Sequence, residues 1–431
     1  MYTLSSKIKI FSFVLMAVGL VGLVYAFLTV PTDIDEVREI VASHEEHQED
    51  AVPEAYIGEE DKMDASETKF VDQTEGEEGV IQESQDIDLH SEVAHENEHL
   101  EHVMHQLQNK PISATFVAAF FFFMIALGTL VFYAIQYVAQ AGWSPVLYRV
   151  MEGITGYLLP GSIIIFLIVA FAGPHFYIWQ DEAIVAHDEI LQVKSAYLNF
   201  PFFIIRIIIY LTGWNLYRYF SRKNSLRQAE VSDIKPYKKN FKLSVFFLIF
   251  FIITESLMAW DFFMSLTPHW FSTLFAWYVF ASMFVTAITT IALVVIFLKK
   301  VGHLKFVNDS HLHDLSKYIF AFSIFWTYLW FAQFMLIWYA NIPEEVTYFI
   351  IRIEEYNTLF FGMLVLNFVF PILLLMNSDY KRIPWFVVLT GLVVLTGHYI
   401  DVFLLIMPPT VGPNWFFGIP EIAALLFFLG L

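Results

Sequence analysis

The 431-residue chain contains no cysteine. That excludes disulfides, thiolate-held iron–sulfur clusters and haem attached through C-x-x-C-H, while a non-covalent haem held by two histidines stays open. Charge is also scarce. Asp, Glu, Lys and Arg make up 16% of the residues, against roughly 25% in an ordinary soluble domain. No Walker loop, dinucleotide fingerprint, H-E-x-x-H or G-x-S-x-G occurs, so nucleotide-driven transport has no support in the sequence. Only Pro160 and Pro371 interrupt long apolar runs well inside them.

What is abundant is apolar: hydrophobic residues reach 57% and aromatics 18%, with 46 Phe and 11 Trp. No single globular core accommodates such an excess, whereas helices facing lipid do. A span needs about 20 mostly apolar residues. Ten stretches qualify: 8–30, 112–139, 155–172, 197–219, 243–263, 270–298, 317–340, 356–376, 385–407 and 414–431. The third is short, and the last has no polar flank at its far end. The expected fold class is therefore an all-α polytopic membrane protein with about ten transmembrane helices. The first stretch exceeds a signal-peptide core and ends in Phe27-Leu28-Thr29-Val30-Pro31 without a small-x-small site, which reads as a retained anchor.

The net charge of −19 is concentrated in one place. Residues 31–110 hold 25 acids and 4 bases, leaving 18 acids and 20 bases elsewhere. Nucleic acid is not a plausible partner for such a surface. Lys and Arg in the short loops set the orientation. With the N-terminus inside, sixteen basic residues, among them Lys7, Arg149, Arg222, Lys299 and Arg382, fall on cytoplasmic flanks, and only Lys194 and Arg352 fall opposite. The acidic segment is then external. Most of it has the composition of a disordered chain. Its last part, from Glu83 to Gln108, has helical apolar spacing and leads into the second span. His95, His99 and His102 share one face there, with His44, His47, His90 and His105 nearby in sequence. A solvated polar helix describes them better than a metal site.

Ionisable groups inside spans cost about 2.5–3.5 kcal/mol each on the insertion scale, so each one present is a functional candidate. Glu255 lies near mid-span, and Asp261 follows six residues later near the outer interface. That spacing advances a helix by about 9 Å and leaves the two roughly 120° apart, so a relay between them requires a second helix or water. His398 and Asp401, at i and i+3, share a face and form a pair that can exchange a proton near neutral pH. Arg206 must find a partner, and the preceding loop offers Asp181, Glu182, His187 and Asp188, with His175 just before it. On the same outer side stand His269, Glu344 and Glu345. These ten residues (Arg206, His175, Asp188, Glu255, Asp261, His269, Glu344, Glu345, His398 and Asp401) are the candidates for a proton path or a quinone site. No residue is assigned as catalytic or as a metal ligand.

Three long runs carry a resemblance. WFAQFMLIWYANIPEE (330–345), WDFFMSLTPHWFST (260–273) and YLNFPFFIIR (197–206) resemble the polysulfide-reductase-like membrane subunits of alternative complex III, a quinol:cytochrome c or quinol:acceptor oxidoreductase. The resemblance covers roughly 112–431, and the length and the insertion after the first span are similar to the smaller of its two such subunits. It implies two four-helix bundles, helices 2–5 and 6–9, with helices 1 and 10 peripheral. The corresponding divisions are an anchor at 1–30, the acidic segment at 31–110, bundles at 111–264 and 265–407, and a last helix at 408–431. It further implies a subunit with no covalently bound cofactor that binds quinone or menaquinone, conducts protons, or both. Haem c and iron–sulfur clusters would sit on partner subunits, beside a larger homologous membrane subunit, in a bacterial cytoplasmic (inner) membrane with 31–110 in the periplasm. The acidic segment lies outside that pattern, and docking against periplasmic subunits is the expectation for it. A stand-alone secondary transporter and a purely structural scaffold are the competing readings.

Overall fold

The computed structural model describes residues 5–40 and 78–431, with side chains omitted at 78–96 and 98. The expectation of disorder, and His44 and His47, fall largely on 41–77, outside the described residues, as do the side chains of His90 and His95. The described chain is helical, without a strand among the described residues. Nine helices there are long and apolar enough to cross a membrane. This is an all-α polytopic membrane protein.

We number its long helices α1 (Ser6–Leu28), α2 (Glu78–Val138), α3 (Leu158–Phe176), α4 (Phe200–Glu230), α5 (Lys235–Phe262), α6 (Phe275–Lys300), α7 (Asp309–Ala340), α8 (Asn357–Leu375), α9 (Pro384–Val411) and α10 (Ile419–Gly430). Most helices outrun the apolar stretch that predicts them. α4 continues to Glu230 through Arg222, Lys223 and Arg227. Hydropathy marks the thickness of hydrocarbon, whereas Lys, Arg, Gln and Glu remain good helix formers beyond it. The third span, short in the sequence, gains turns before Leu158 and forms a helical stretch over Ser144–Phe176. The tenth does the opposite. Gly412, at φ +61°, ends α9, and extended residues follow, so α10 has only 12 residues and is shorter than a crossing.

The chain divides into two units, Met1–Ala26 with Asn109–Leu431, and Phe27–Gln108. In the smaller unit Val37, Leu100 and Val103 form an apolar cluster, and His102 shares a hydrogen bond with Gln106 at 3.0 Å. α2 is one helix from Glu78 onward, so the predicted surface helix and the second span are continuous.

In the larger unit α2 and α6 are central. In α2, 89% of the apolar window is buried, against 17% in α1. Small residues let the central helices approach: a methyl added at Gly128 of α2 would lie 2.6 Å from the Met283 carbonyl of α6. α4 packs on α5, α6 on α7 and α9, and α8 on α9. Outward faces present Ile205, Ile208, Phe246 and Ile249 to lipid, while polar side chains turn inward. This is the reverse of a soluble helix.

α1 seats on α10 through glycine. Added methyls would lie 2.7 Å from the Ala423 carbonyl at Gly19, 2.7 Å from the Ala423 Cβ at Gly22, and 2.7 Å from the Ser12 carbonyl at Gly430. Lipid tails are as apolar as the helices, so such pairs associate by close packing of small residues. Gly19→Leu is therefore expected to unseat α1. The natural absence of cysteine makes the check simple: a single cysteine in place of Leu23, a buried residue of α1, should react severalfold faster with a lipid-soluble maleimide in that variant.

Candidate functional site

Two buried polar centres organise the larger unit. The first joins α4 and α5. Arg206 donates from Nη2 to Asp261 Oδ1 at 2.7 Å and from Nε to both carboxylate oxygens at 3.1–3.2 Å. Its Nη1 donates to the Tyr197 carbonyl at 2.9 Å, and the Tyr197 hydroxyl donates to Asp261 at 3.0 Å. The guanidinium lies 3.8 Å over the Tyr197 ring and 4.4 Å from that of Phe202. Asn199 caps α4 by accepting from the Phe202 amide, which places Arg206 two turns into the helix. Asp261, in the last turn of α5, is thus fully buried, and the partner of Arg206 comes from α5, not from the loop before α4. With all three guanidinium nitrogens bonded and the carboxylate accepting from Arg206 and Tyr197, this centre is a closed structural pair. Glu255 takes no part in it.

The loop acids have other tasks. Asp181 caps the helix Glu182–His187, and Asp188 caps Glu189–Lys194 by accepting from the Ile190 and Leu191 amides. Asp188 also meets His269 Nε2 at 2.5 Å, clasping this loop to the α5–α6 connection, and Lys194 reinforces the clasp by donating to the Pro268 carbonyl. The Leu191 amide, with His269 beside it, holds the Asp188 carboxyl below the usual aspartate range. A depressed carboxyl stabilises the folded loop above its unfolded pKa, near 3.9, and the gain is lost as pH falls through the lower folded value. The clasp should accordingly hold at neutral pH and open only below about pH 4. Proteolysis between 181 and 195 should rise there, and in Asp188→Asn should rise already at neutral pH. His175, at the end of α3, and Glu344 are exposed, and Glu345 is half-exposed; both glutamates lie in the first turn of the helix Pro343–Glu354.

The second centre lies between α6, α7 and α9. Asp401 is wholly buried and accepts from the Tyr278 hydroxyl, from Ser282 Oγ at 2.8 Å and from Trp326 Nε1 at 3.0 Å. His398 Nδ1 lies 2.9 Å from Ser282 Oγ and 3.3 Å from Asp401. Ser282 has one proton and directs it at Asp401. Its oxygen therefore accepts from His398, which puts a proton on Nδ1. The His398 Nε2 is buried without a hydrogen-bond partner among the described residues. Beside it the chain departs from regular helix: Val365–Val369 of α8 is a π turn, a form frequent at functional sites. The π turn holds Asn367, fully buried, with neither amide atom bonded. Its amide rests against Gly397, the residue before His398, where any β-carbon would strike Asn367 Oδ1.

This centre is linked to the end of the bundle predicted to face outward. Tyr278 lines a cavity of about 20 Å³ together with Gln333, Tyr348 and Arg352, enough for about one water. Tyr348 and Arg352 also line a cleft of about 290 Å³ that carries His269 and Glu344. Arg352 is buried, stacks 3.5 Å over Tyr348 and donates to the carbonyls of Leu404 and Tyr348. Burial lowers its pKa below the ordinary guanidinium value. A guanidinium stays charged in proteins even so.

The sequence thus brought forward His398, Asp401, His269 and Glu344, and the structure adds Tyr278, Ser282, Trp326, Asn367 and Arg352. Nothing in a row of apolar and hydroxyl residues singles out Ser282 or Tyr278, because their role arises from a helix more than a hundred positions away. Two further buried acids, Glu152 and Glu421, were also passed over. Glu152 accepts from Arg149 at 2.7 Å and from Tyr133 at 3.2 Å at the opposite end of the bundle. No model of a known protein family matches this chain, and no curated protein matches it in sequence.

Proposed function

We propose that this chain is a membrane subunit of a respiratory quinol-oxidising assembly, similar to the smaller membrane subunit of alternative complex III, and that it conducts protons through the Asp401 centre. Electrons would then pass through haem c and iron–sulfur partners, and the chain itself would hold no redox metal. One observation carries the proton reading: a buried carboxyl bonded to a buried histidine with a bare Nε2, connected through Tyr278 to a water-sized cavity and an outward cleft. Proton transfer needs groups within hydrogen-bond reach of one another or of one water. Asp401, Ser282, His398 and Tyr278 meet that requirement. A scaffold needs neither the bare Nε2 nor the cavity.

The test is quinol oxidation and proton release by the purified assembly, comparing wild type with His398→Ala. A lower proton yield per quinol in an intact assembly supports conduction here. Unchanged turnover and yield would leave the chain a scaffold, and transport activity by the chain purified alone would favour a transporter.

Quinone binding within this chain is a second reading. A cavity of about 530 Å³ lies between α2, the turns before α3, α6, α9 and α10, walled by Phe121, Phe122 and Tyr399, with the Tyr157 hydroxyl unbonded among the described residues. Its volume suits a single ligand. Photolabelling with an azido-menaquinone checks it, and label confined to other subunits would remove quinone from this chain.

A further inference from the structure

Glu255 is left over from both centres. It is 4% exposed, two turns before the end of α5, and among the described residues its Oε1 has no hydrogen-bond partner. It lines a cavity of about 210 Å³ between α2, α5 and α6, whose walls include Phe251, Ile252, Ser256, Trp277 and Phe280. The aromatic rings adjoin in series, Phe251 to Phe280 and Phe280 to Trp277, each pair 6.2 Å apart. Ile252 is 56% and Trp277 49% exposed on the lipid-facing surface, so the mouth opens sideways. Among the described residues no cation pairs with Glu255.

A carboxyl buried without a partner is costly unless it keeps its proton or meets a cation. Aromatic faces beside a carboxylate are the components from which proteins build ammonium sites. An apolar cavity of about 150 Å³ already accepts benzene, so this one admits a single ring with a small charged head. We propose that the Glu255 cavity is a laterally opening site for a small lipophilic ammonium ion, its charge against Glu255 and its apolar body against Phe251, Trp277 and Phe280. A neutral hydrocarbon would leave Oε1 unpartnered, and a hydroxyl ligand would make no use of the ring faces. The site shares no residue with the Asp401 centre and stands or falls independently of the proton reading.

Dicyclohexylcarbodiimide, which reaches carboxyls through lipid, reports on it. The protonated Glu255 carboxyl adds across one C=N bond: its oxygen bonds the central carbon, its proton goes to nitrogen, and nothing leaves. The acyl group then migrates to the adjacent nitrogen, giving a stable N-acylurea that peptide mass analysis locates. The full chain in its assembly is labelled with and without benzyltrimethylammonium, or neopentylbenzene, its uncharged isostere. The expected result is label on Glu255, protection by the cation at concentrations where the isostere gives none, and loss of label in Glu255→Gln. Trp277→Leu should raise the half-protecting concentration about tenfold, with Phe280→Leu as the second variant should the first not fold. Equal protection by both compounds would reduce the site to an apolar cavity. Protection by benzyl alcohol alone would make it a hydroxyl site. Label that nothing protects, or no label at all, would also overturn the proposal.

Discussion

Asp261→Asn is expected to destabilise the helix assembly by about 3 kcal/mol, seen as a lower midpoint of thermal unfolding in detergent or nanodiscs. The cause is a stranded cation. Arg206 is 5% exposed and, among the described residues, receives its counter-charge from Asp261 alone. Removing one partner of a buried pair costs about 3–5 kcal/mol, because the other charge stays desolvated. In a membrane the unfolded chain also finds partners for its polar groups, which favours the lower end. The double variant Arg206→Met with Asp261→Leu removes both charges and fills similar volume, so it should recover most of the loss. Asp261→Asn with an unaltered midpoint would deny the pair any part in stability. Because the centre is closed, the double variant should also release protons normally. A lower yield would return Asp261 to the proton route.

Asp401 separates stability from function. Asp401→Ala removes an acceptor used by Tyr278, Ser282 and Trp326 together. An orphaned buried donor costs about 1–3 kcal/mol, so the variant should be destabilised by several kcal/mol and yield little assembly. Asp401→Asn keeps one oxygen acceptor and nearly the same volume, and its unfolding midpoint should fall far less. It cannot, however, take or give a proton. A positioned acid–base group contributes about 10²–10⁴-fold to a proton transfer, and proton release through this chain should drop by about 10²-fold or more. The measurement is pH change in proteoliposomes driven by quinol oxidation. Full proton release by a well-folded Asp401→Asn assembly would rule out conduction through this centre.

Much of this molecule was legible in its residues. The class and nine of the ten expected spans follow from local composition: about 20 apolar residues in a row need lipid, whatever their neighbours. His398 and Asp401 were legible as a pair because i and i+3 share a helical face. The partner of Arg206 was misplaced to the loop before α4, since Asp181 and Asp188 are closer in sequence; Asp261, 55 positions away, is closer in space. Helical spacing set Glu255 and Asp261 roughly 120° apart on one helix, and packing decided what each faces: Asp261 meets α4, and Glu255 the cavity shared with α2 and α6.

The sequence by itself determined an all-α membrane protein, the localisation of its acidity in 31–110, and which spans carry ionisable groups, because hydropathy and helical period are properties of neighbouring residues. The tertiary structure alone decided which of those groups are neutralised and which are left able to react. A buried charge is settled by whichever helix packs against it, and helix–helix packing brings together residues that no local pattern relates. Arg206 neutralised Asp261, three donors gathered on Asp401, and among the described residues no partner reached Glu255 Oε1 or His398 Nε2.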